Sequence, residues 1–305
     1  MAELLLKTDS LTKIYKKHKA VNAVSMHVER GAVYGFIGKN GAGKTTFMKM
    51  IAGLANPTSG SIALFGRTGS ELAEVRSKLG CLIEAPGIYP KLTAFENMQL
   101  KCLALHRYSK EYVYELLNLV GLANTGKKKS GHFSLGMRQR LGIAIALVAE
   151  PEMMVLDEPI NGLDPQGIVE VRDTIHRLSS ERGITVLISS HILDELSKIA
   201  THYGIINNGE LIRELSSEQL VAECSSSLEI TVKNASTHAA DVLHRLGVEF
   251  RIVDGDRISV TQGIERSAEI NTALVQNGFA VSELTVHKAA LEDYYLSLTG
   301  GGSNA

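Results

Sequence analysis

Apolar and polar residues alternate in short segments over the first 36 residues, as in "ELLLKTDSLTKIY" and "AVNAVSMHVERGAVYGFIG". This period of two, with a glycine in the turn, predicts antiparallel strands. From "VYGFIG" onward the pattern becomes strand, loop and helix in repeated order. The apolar runs "MMVLDEP" (153–159) and "TVLISS" (185–190) predict buried strands of a parallel sheet. Helical periodicity extends over residues 94–121 and 134–149, so we expect an α/β fold.

The pattern changes near residue 216. There the polar, serine-rich stretch "SSEQLVAECSSS" indicates a linker or a helix that leads into a linker. The segments beyond it follow the order βαββαβ, with Asp254-Gly255 as a hairpin turn, and this order is typical of a small α+β sandwich. We therefore expect a main domain at residues 1–216, an accessory α+β domain at 217–298 and a disordered tail at 299–305.

Composition and charge exclude several classes of protein. The 305 residues carry a net charge of −1 and the pI is about 6.8, so no nucleic-acid partner is expected. Cys81, Cys102 and Cys224 show no C-x-x-C spacing, which favours reduced thiols over a disulfide scaffold or a zinc site. No apolar run reaches the roughly 18–20 residues of a transmembrane helix, and the N-terminus lacks a signal-peptide segment. We expect a soluble protein that reaches a membrane only through a partner.

The stretch "GKNGAGKTT" (38–46) follows an apolar strand and precedes a helical stretch. It fits the phosphate-loop pattern G-x-x-x-x-G-K-[ST]. In such a loop backbone N–H groups surround phosphate oxygens, the lysine supplies positive charge, and the Ser/Thr hydroxyl ligates Mg²⁺. The flanking strand and helix disfavour the alternative of a glycine-rich turn that matches by chance. The predicted contacts to a nucleoside triphosphate are Gly38, Asn40, Gly41, Gly43, Lys44, Thr45 and Thr46.

Two consecutive carboxylates end the buried run "MMVLDEP". Asp157 is placed to hold Mg²⁺, with Thr45 as the other predicted ligand, and Glu158 is placed to polarise an attacking water as a general base. A solvated strand end is the alternative, but a phosphate loop already requires a magnesium ligand. His191 ends the next apolar run, "ISSH". A lone histidine is more often structural, yet on a neighbouring strand it could reach a γ-phosphate.

Together with "GHFSLGMRQRLGIAIALVAEP", these motifs make the chain resemble the ATP-binding subunits of ABC transporters. The resemblance covers residues 4–216 and runs in the family's order. It comprises a Walker A loop at 38–45, a signature-like "FSLGM" at 133–137, a Walker B strand at 153–158, a D-loop-like "NGLDP" at 161–165 and an H-loop-like "SSH". It implies a P-loop NTPase core of ABC type with an antiparallel β subdomain and a helical signature subdomain.

The resemblance also implies how ATP and Mg²⁺ are bound. Two copies of the chain would bind head to tail, with each ATP between the Walker A loop of one copy and the signature of the other. Ser134 and Gly136 would hold the γ-phosphate of the partner's ATP through a hydroxyl and a backbone N–H, and Asp164 would couple the two sites. Tyr15 in "KIYKKHKAV" matches the aromatic residue that stacks on adenine. A tyrosine on an exposed strand is the alternative.

The chain departs from the family pattern at two motifs. The usual LSGGQ has Phe133, Leu135 and Met137 at three positions here, and Met137 lacks the amide of glutamine. Glu84, in "CLIEAPGIYPKLT", replaces the glutamine that contacts Mg²⁺, the attacking water and the membrane subunit in the family. A carboxylate still ligates Mg²⁺, although it donates no hydrogen bond unless protonated. Glu84 is either a tolerated near-isostere or a subfamily feature, since this context resembles bacitracin- and lantibiotic-resistance ATPases of bacteria.

The implied function is that of the ATP-hydrolysing subunit of a bacterial ABC transporter. It would bind at the cytoplasmic face of the membrane to a permease that exports a peptide antibiotic. The alternative is a non-transport ABC-type ATPase of DNA repair or translation, but those proteins tend to have two cassettes, coiled-coil insertions or basic arms. For the C-terminal domain, dimer support or packing is favoured over a regulatory or small-ligand role, because no cluster of convergent polar residues is visible in its sequence.

Overall fold

The computed structural model describes residues 3–223, 227–232, 237–287 and 291–299. By its internal contacts the chain divides into two units, Met1–Ser217 and Glu218–Ala305. Within the described ranges no helix is both long enough and apolar enough to cross a membrane. Cys224 lies outside the described residues.

The first unit combines strands and helices in alternation. Its strands are β1 (Leu4–Tyr15), β2 (His18–Val24), β3 (His27–Glu29), β4 (Val33–Ile37), β5 (Ser59–Leu64), β6 (Arg67–Thr68), β7 (Leu79–Leu82), β8 (Met153–Asp157), β9 (Thr185–Ser190), β10 (His202–Asn207) and β11 (Glu210–Ser216). Its helices are α1 (Lys44–Ile51), α2 (Leu72–Val75), α3 (Ala94–Ala104), α4 (Lys110–Leu119), α5 (Leu135–Leu147), α6 (Pro165–Arg182) and α7 (Leu193–Ser197).

Two sheets form this unit. The strands β2, β1, β5 and β6 pair antiparallel in that order, and β3 also pairs with β1. The second sheet has the order β11-β10-β4-β9-β8-β7, in which β10 to β7 are parallel and β11 is an antiparallel edge strand. All residues of β4, β8 and β9 are buried, as expected for strands that are covered on both faces. Their carboxyl ends lie at one edge of the sheet, where ligands of α/β proteins bind.

The helical periodicity over residues 94–121 belongs to two helices. Thr93 begins α3 with a capping box, in which its hydroxyl accepts the N–H of Glu96 and the Glu96 carboxylate accepts the N–H of Thr93. The helix ends before His106, whose φ of +54° is incompatible with an α-helix. Ser109 then caps α4. The break separates two apolar faces of similar period, so periodicity alone cannot reveal it.

The second unit has the predicted order of elements. It contains α8 (Ser217–Glu223), β12 (Ser227–Val232), α9 (Thr237–Arg245), β13 (Phe250–Ile252), β14 (Arg257–Val260), α10 (Ser267–Gln276), β15 (Val281–His287) and α11 (Leu291–Thr299). The strands pair antiparallel in the order β13-β14-β12-β15. Their apolar face and the helices α9 and α10 form a separate core. Helix α8 forms the first part of the predicted linker. Thr299, the first residue of the predicted tail, is the last residue of α11, and residues 300–305 lie outside the described ranges.

A buried tyrosine joins the strand before the P-loop to the edge strand. The Tyr34 side chain on β4 is 1 % exposed, and its hydroxyl donates to Glu214 Oε1 on β11 at 2.7 Å. Glu214 also accepts the backbone N–H of His27 at 2.7 Å and contacts His27 Nδ1 at 3.0 Å. Because His27 begins β3, these contacts link the two sheets. Burial, and then the charge of Glu214, raises the pKa of Tyr34 well above its usual value.

We expect Tyr34→Phe to lower the free energy of unfolding by about 1–2 kcal/mol at neutral pH, because a buried hydrogen bond to a carboxylate is lost. The pKa of Tyr34 is raised in the folded chain, so above about pH 10 only the unfolded chain releases this proton. The contribution of Tyr34 is therefore complete below that pH and declines above it. Urea denaturation at neutral pH and at about pH 10.5 measures both effects.

Tyr114→Phe is the matched control, at a tyrosine that is 41 % exposed, and we expect it to change stability by less than about 0.5 kcal/mol. Equal losses in the two variants would show that the Tyr34 hydroxyl contributes nothing specific. A Tyr34→Phe deficit that grows with pH would contradict the direction of the pKa shift.

Candidate active site

Glycines shape the loop between β4 and α1. The φ angle is +83° at Gly41 and +111° at Gly43, a region that residues with a Cβ rarely adopt. A Cβ at Gly43 would lie 2.3 Å from the backbone oxygen of Ala20, and one at Gly38 would lie 2.5 Å from a backbone oxygen of β10. Because α1 begins directly after this loop, its first N–H groups have no partner within the helix and are suited to a phosphate.

Lys44, the first residue of α1, is buried at the base of this loop. Its side chain is 5 % exposed, and its Nζ donates to the carbonyl oxygens of Gly38 at 2.5 Å and Lys39 at 3.2 Å. The same Nζ lies 3.0 Å from Glu158 Oε1. Desolvation would disfavour an isolated ammonium, so these partners stabilise its charge. The structure thus brings together the predicted phosphate-binding lysine and the predicted general base.

Two hydroxyl groups hold Asp157 at the end of β8. Thr45 Oγ1 donates to Asp157 Oδ2 at 2.8 Å, and Ser189 Oγ donates to Asp157 Oδ1 at 2.7 Å. Asp157 is 5 % exposed, so both contacts are shielded from water. Thr45 and Asp157 were predicted to share Mg²⁺. Ser189 was not predicted, and its only signal in the sequence is a pair of serines at the end of an otherwise apolar run.

The backbone turns away from the direction of β8 at Glu158, immediately after Asp157. Its φ is +48°, in the left-handed region that costs a residue with a Cβ about 1–2 kcal/mol. Its N–H donates to Ser189 Oγ at 2.9 Å, which supports this conformation. Glu158 Oε2 lies 2.8 Å from His191 Nδ1, so the carboxylate contacts Lys44 through one oxygen and His191 through the other. Glu158 and His191, two of the three residues predicted for catalysis with Glu84, are therefore adjacent.

A cleft of about 330 Å³ opens beside these groups. It is lined by Tyr15, His18, Ala20, Asn40, Gly41, Gly43, Lys44, Thr45, Thr46 and Glu158. Tyr15 ends β1 and is 47 % exposed, with Lys13 Nζ 5.0 Å from its ring centroid. An exposed aromatic face at the side of the cleft is suited to stacking on a base. His18 pairs with Tyr15 across the β1–β2 turn and was not singled out by its sequence context.

The signature-like residues lie at the start of α5, outside this cleft. Ser134 caps α5 by accepting the N–H of Met137 at 3.2 Å. Asp164 caps α6 in the same way, with Oδ1 accepting the N–H of Gly167 at 3.0 Å. A Cβ at Gly136 would lie 3.3 Å from the Gly167 Cα, so the first turns of α5 and α6 are in contact. The signature and the D-loop-like segment thus form one surface of the chain.

Glu84 lies two residues beyond β7 and also has a positive φ, +64°. Its side chain is 64 % exposed, and its Oε1 lies 2.5 Å from Lys49 Nζ on α1. It is not among the residues that line the cleft, so its contact with Mg²⁺ stays a prediction. Lys49 offsets the negative charge of Glu84, a charge that a glutamine at this position would not carry. The sequence alone did not identify this partner.

Comparison with known proteins agrees with this geometry. A family model described as ABC transporter matches residues 21–161. The bacitracin transport ATP-binding protein BcrA of Bacillus licheniformis is 40 % identical over 301 residues, which cover 98 % of this chain and 98 % of that protein. The chain belongs to the ATP-binding proteins of ABC transporters. It is therefore an ATPase, and the prediction that it binds ATP is confirmed.

Further relatives support this ABC assignment. The lantibiotic transport ATP-binding protein SrtF of Streptococcus pyogenes is 47 % identical over 210 residues, which cover 69 % of this chain and 90 % of SrtF. Among solved structures, the dimeric ATP-binding cassette MJ0796 bound to ADP and Pi has a TM-score of 0.62 and 26 % identity. That match covers 70 % of this chain and 98 % of MJ0796. The predicted P-loop fold of ABC type is confirmed.

We expect Glu84→Gln to change ATP turnover by less than about tenfold, because glutamine keeps a carbonyl oxygen and loses only one negative charge. ATP binding is expected to tighten by at most about fivefold, since water screens the charge of this exposed side chain. Turnover rates and ATP titrations of the purified protein measure the two effects.

Glu150→Gln provides a matched control. Glu150 is another exposed glutamate with a positive φ, +52°, and it forms an ion pair with Arg107. We expect neither turnover nor ATP affinity to change in this variant, because Glu150 precedes β8 at the opposite end of the strand from Asp157. A loss of turnover beyond about a hundredfold in Glu84→Gln would instead make Glu84 an essential catalytic ligand.

Proposed function

We propose that this ATPase powers a separate membrane permease that expels a peptide antibiotic of the bacitracin or lantibiotic type. The observation that carries the proposal is 40 % identity, over nearly the full chain, to bacitracin transport proteins of two bacteria, Bacillus licheniformis and Enterococcus faecalis. This likeness includes the second unit as well as the cassette. A daunorubicin resistance protein, DrrA3 of Streptomyces coeruleorubidus, is 32 % identical. Names of this kind favour transport over DNA repair or translation.

In this proposal two copies of the chain enclose two ATP molecules head to tail. Ser134 and Gly136 of the same chain are not among the residues that line the cleft, and in this proposal they contact the ATP that is bound to the second copy. The dimeric form of MJ0796 supports such an arrangement. Tyr15 would stack on adenine, and Asp164, beside the signature surface, would couple the two sites. The second unit would support the dimer.

The P-loop would hold the phosphates through Asn40, Gly41, Gly43 and Thr46, with Lys44 as the positive charge. The oxygen donors of Thr45 and Asp157 meet in one place and suit Mg²⁺, which prefers oxygen ligands. No group of three or more His, Cys, Asp or Glu within the described part of the chain could hold a metal by itself. Magnesium at phosphate sites is usually held by one or two carboxylates together with the phosphates of the substrate. Glu84 is the further ligand that we propose.

Bound Mg²⁺ would supply charge neutralisation at the β- and γ-phosphates. Glu158 would accept a proton from water as the water oxygen attacks the γ-phosphorus, and the bond to the bridging oxygen would break to release ADP. His191 would orient Glu158 through the 2.8 Å contact and donate to the γ-phosphate. The signature of the partner copy would complete the site by contacting the same phosphate.

A resistance assay tests this function. We expect a bacterial host that lacks this chain and its permease to gain resistance to bacitracin or to a lantibiotic when both are expressed, and to stay sensitive to daunorubicin. Glu158→Gln should abolish the gain, because the general base is lost while ATP still binds. The first readout is the minimal inhibitory concentration of each compound. The second is whether this chain and the permease are recovered together in the membrane fraction.

Glu181→Gln, at an exposed carboxylate on α6 that pairs with Arg177, is the matched control and should keep full resistance. Resistance to daunorubicin alone would assign a different substrate class. Full resistance in the Glu158→Gln host would remove Glu158 from the catalytic role.

A further inference from the structure

The segment that follows Glu84, residues 85–93, lies beside residues 129–134, which lead into the signature. Two backbone hydrogen bonds join them, from the N–H groups of Ser130 and Gly131 to the carbonyl oxygens of Leu92 and Pro90, at 2.8 and 2.9 Å. A Cβ at Gly131 would lie 3.0 Å from the Pro90 oxygen, so glycine permits this close approach. The two segments therefore form a single ladder.

A buried amide and a buried hydroxyl fix the centre of this ladder. Asn97 on α3 is 3 % exposed, and its Oδ1 accepts the N–H of Tyr89 at 2.7 Å. Its Nδ2 lies within 3.3 Å of three acceptors, the carbonyl oxygens of Tyr89 and Thr93 and the hydroxyl of Ser130. Ser130 is 0 % exposed, and its Oγ donates to the Tyr89 carbonyl at 2.9 Å. We call Tyr89, Asn97 and Ser130 the Asn97 node.

A tight turn connects Ser130 to Ser134. The N–H of Phe133 donates to the Ser130 carbonyl at 3.1 Å, so residues 130–133 form one tight turn. Ser134 follows immediately as the cap of α5. This turn therefore connects Ser130 directly to the residue whose hydroxyl would contact the partner's ATP.

A second contact connects the same segment to α5 directly. A Cβ at Gly142 would lie 2.6 Å from Pro86 Cβ and 3.0 Å from a side-chain carbon of Leu82. The proline ring cannot move aside easily, so Gly142 marks a close packing of residues 85–93 on the signature helix. The segment thus contacts the signature region at both ends, through Pro86 and through the Asn97 node.

The buried contacts stabilise the pairing of the two segments more than the exposed ion pair nearby does. Lys129 Nζ lies 3.0 Å from Glu96 Oε2, and the N–H of Thr93, followed by Lys129, lowers the pKa of Glu96. Both charged side chains are more than 40 % exposed, so water and salt weaken this pair. Breaking the node instead leaves buried donors and acceptors without partners, which is the larger penalty.

We propose that Asn97 and Ser130 are positioning residues that tie residues 85–93 to Ser134. A displacement of the segment after Glu84 is thereby transmitted to the signature within the same chain, by a route that does not pass through the bound nucleotide. The inference rests on the proposed function, in which Ser134 contacts ATP bound to the partner copy. It adds a path inside one chain between the Glu84 segment and that contact.

Ser130→Ala tests the node while leaving the Asn97–Tyr89 bonds in place. We expect kcat for ATP hydrolysis to fall about fivefold to tenfold, because one buried tie to the signature is lost. The affinity of the chain for ATP should stay within about twofold of wild type, since no node residue lines the cleft. Asn97→Ala should lower kcat further. Thermal unfolding of each variant checks that it is folded under the conditions of the kinetic assay.

Thr125→Ala is the matched control, because it removes a hydroxyl-to-carbonyl bond of 2.8 Å on the same loop, to Leu122, without touching residues 85–93. We expect it to keep wild-type kcat. Equal kcat values in Ser130→Ala and Thr125→Ala would overturn the inference. Ser134→Ala, assayed alongside, isolates the proposed function: wild-type kcat in that variant would refute the shared ATP site itself.

Discussion

The parallel register of β4, β9 and β8 is the constraint on which the rest of the site depends. Asp157 pairs with Ser189, and Ile37 pairs with Ser190, so the ends of the three strands lie within one residue of one another. The phosphate loop, the two carboxylates and His191 consequently leave the sheet at the same edge. A slip of one residue would turn each side chain to the opposite face and would separate Thr45 from Asp157, which are 2.8 Å apart.

The environments of the two adjacent carboxylates explain how each can have its own role. Asp157 accepts hydrogen bonds from two neutral hydroxyls, whereas Glu158 contacts a lysine and a histidine. Neighbouring acids with different partners are a common means of dividing catalytic work. Because Lys44 is buried, removing Glu158 from its side would leave an uncompensated charge, which is costly. The same contact therefore supports both the local fold and the proposed chemistry.

The sequence was sufficient for the elements that short motifs define. The P-loop, the strand ending in Asp157 and the strand ending in His191 each combine a local pattern with a recognisable end, and their parallel order follows from the alternation of strands and helices. The βαββαβ sequence of elements in the second unit and its hairpin at Asp254 were also predictable, since alternation and turn residues are local signals.

Contacts between distant segments could not be predicted in this way. The pairing of Glu84 with Lys49, and that of Ser189 with Asp157, depends on which strands are neighbours and on their register. Asn97 illustrates the same limit, because in the stretch "AFENMQL" it looks like one more polar residue on an amphipathic helix. Only its four contacts with the segments around Tyr89 and Ser130 show that it connects them.

In the proposed dimer, two copies of this chain enclose ATP between the P-loop of one copy and Ser134 of the other. The most direct measurement is the molar mass, by light scattering, of Glu158→Gln with ATP and Mg²⁺, combined with the amount of ATP bound. We expect a two-chain species with two ATP molecules. We expect the variant that combines Glu158→Gln with Ser134→Ala to consist of single chains that still bind ATP. A single-chain mass for Glu158→Gln saturated with ATP would contradict the head-to-tail enclosure of ATP.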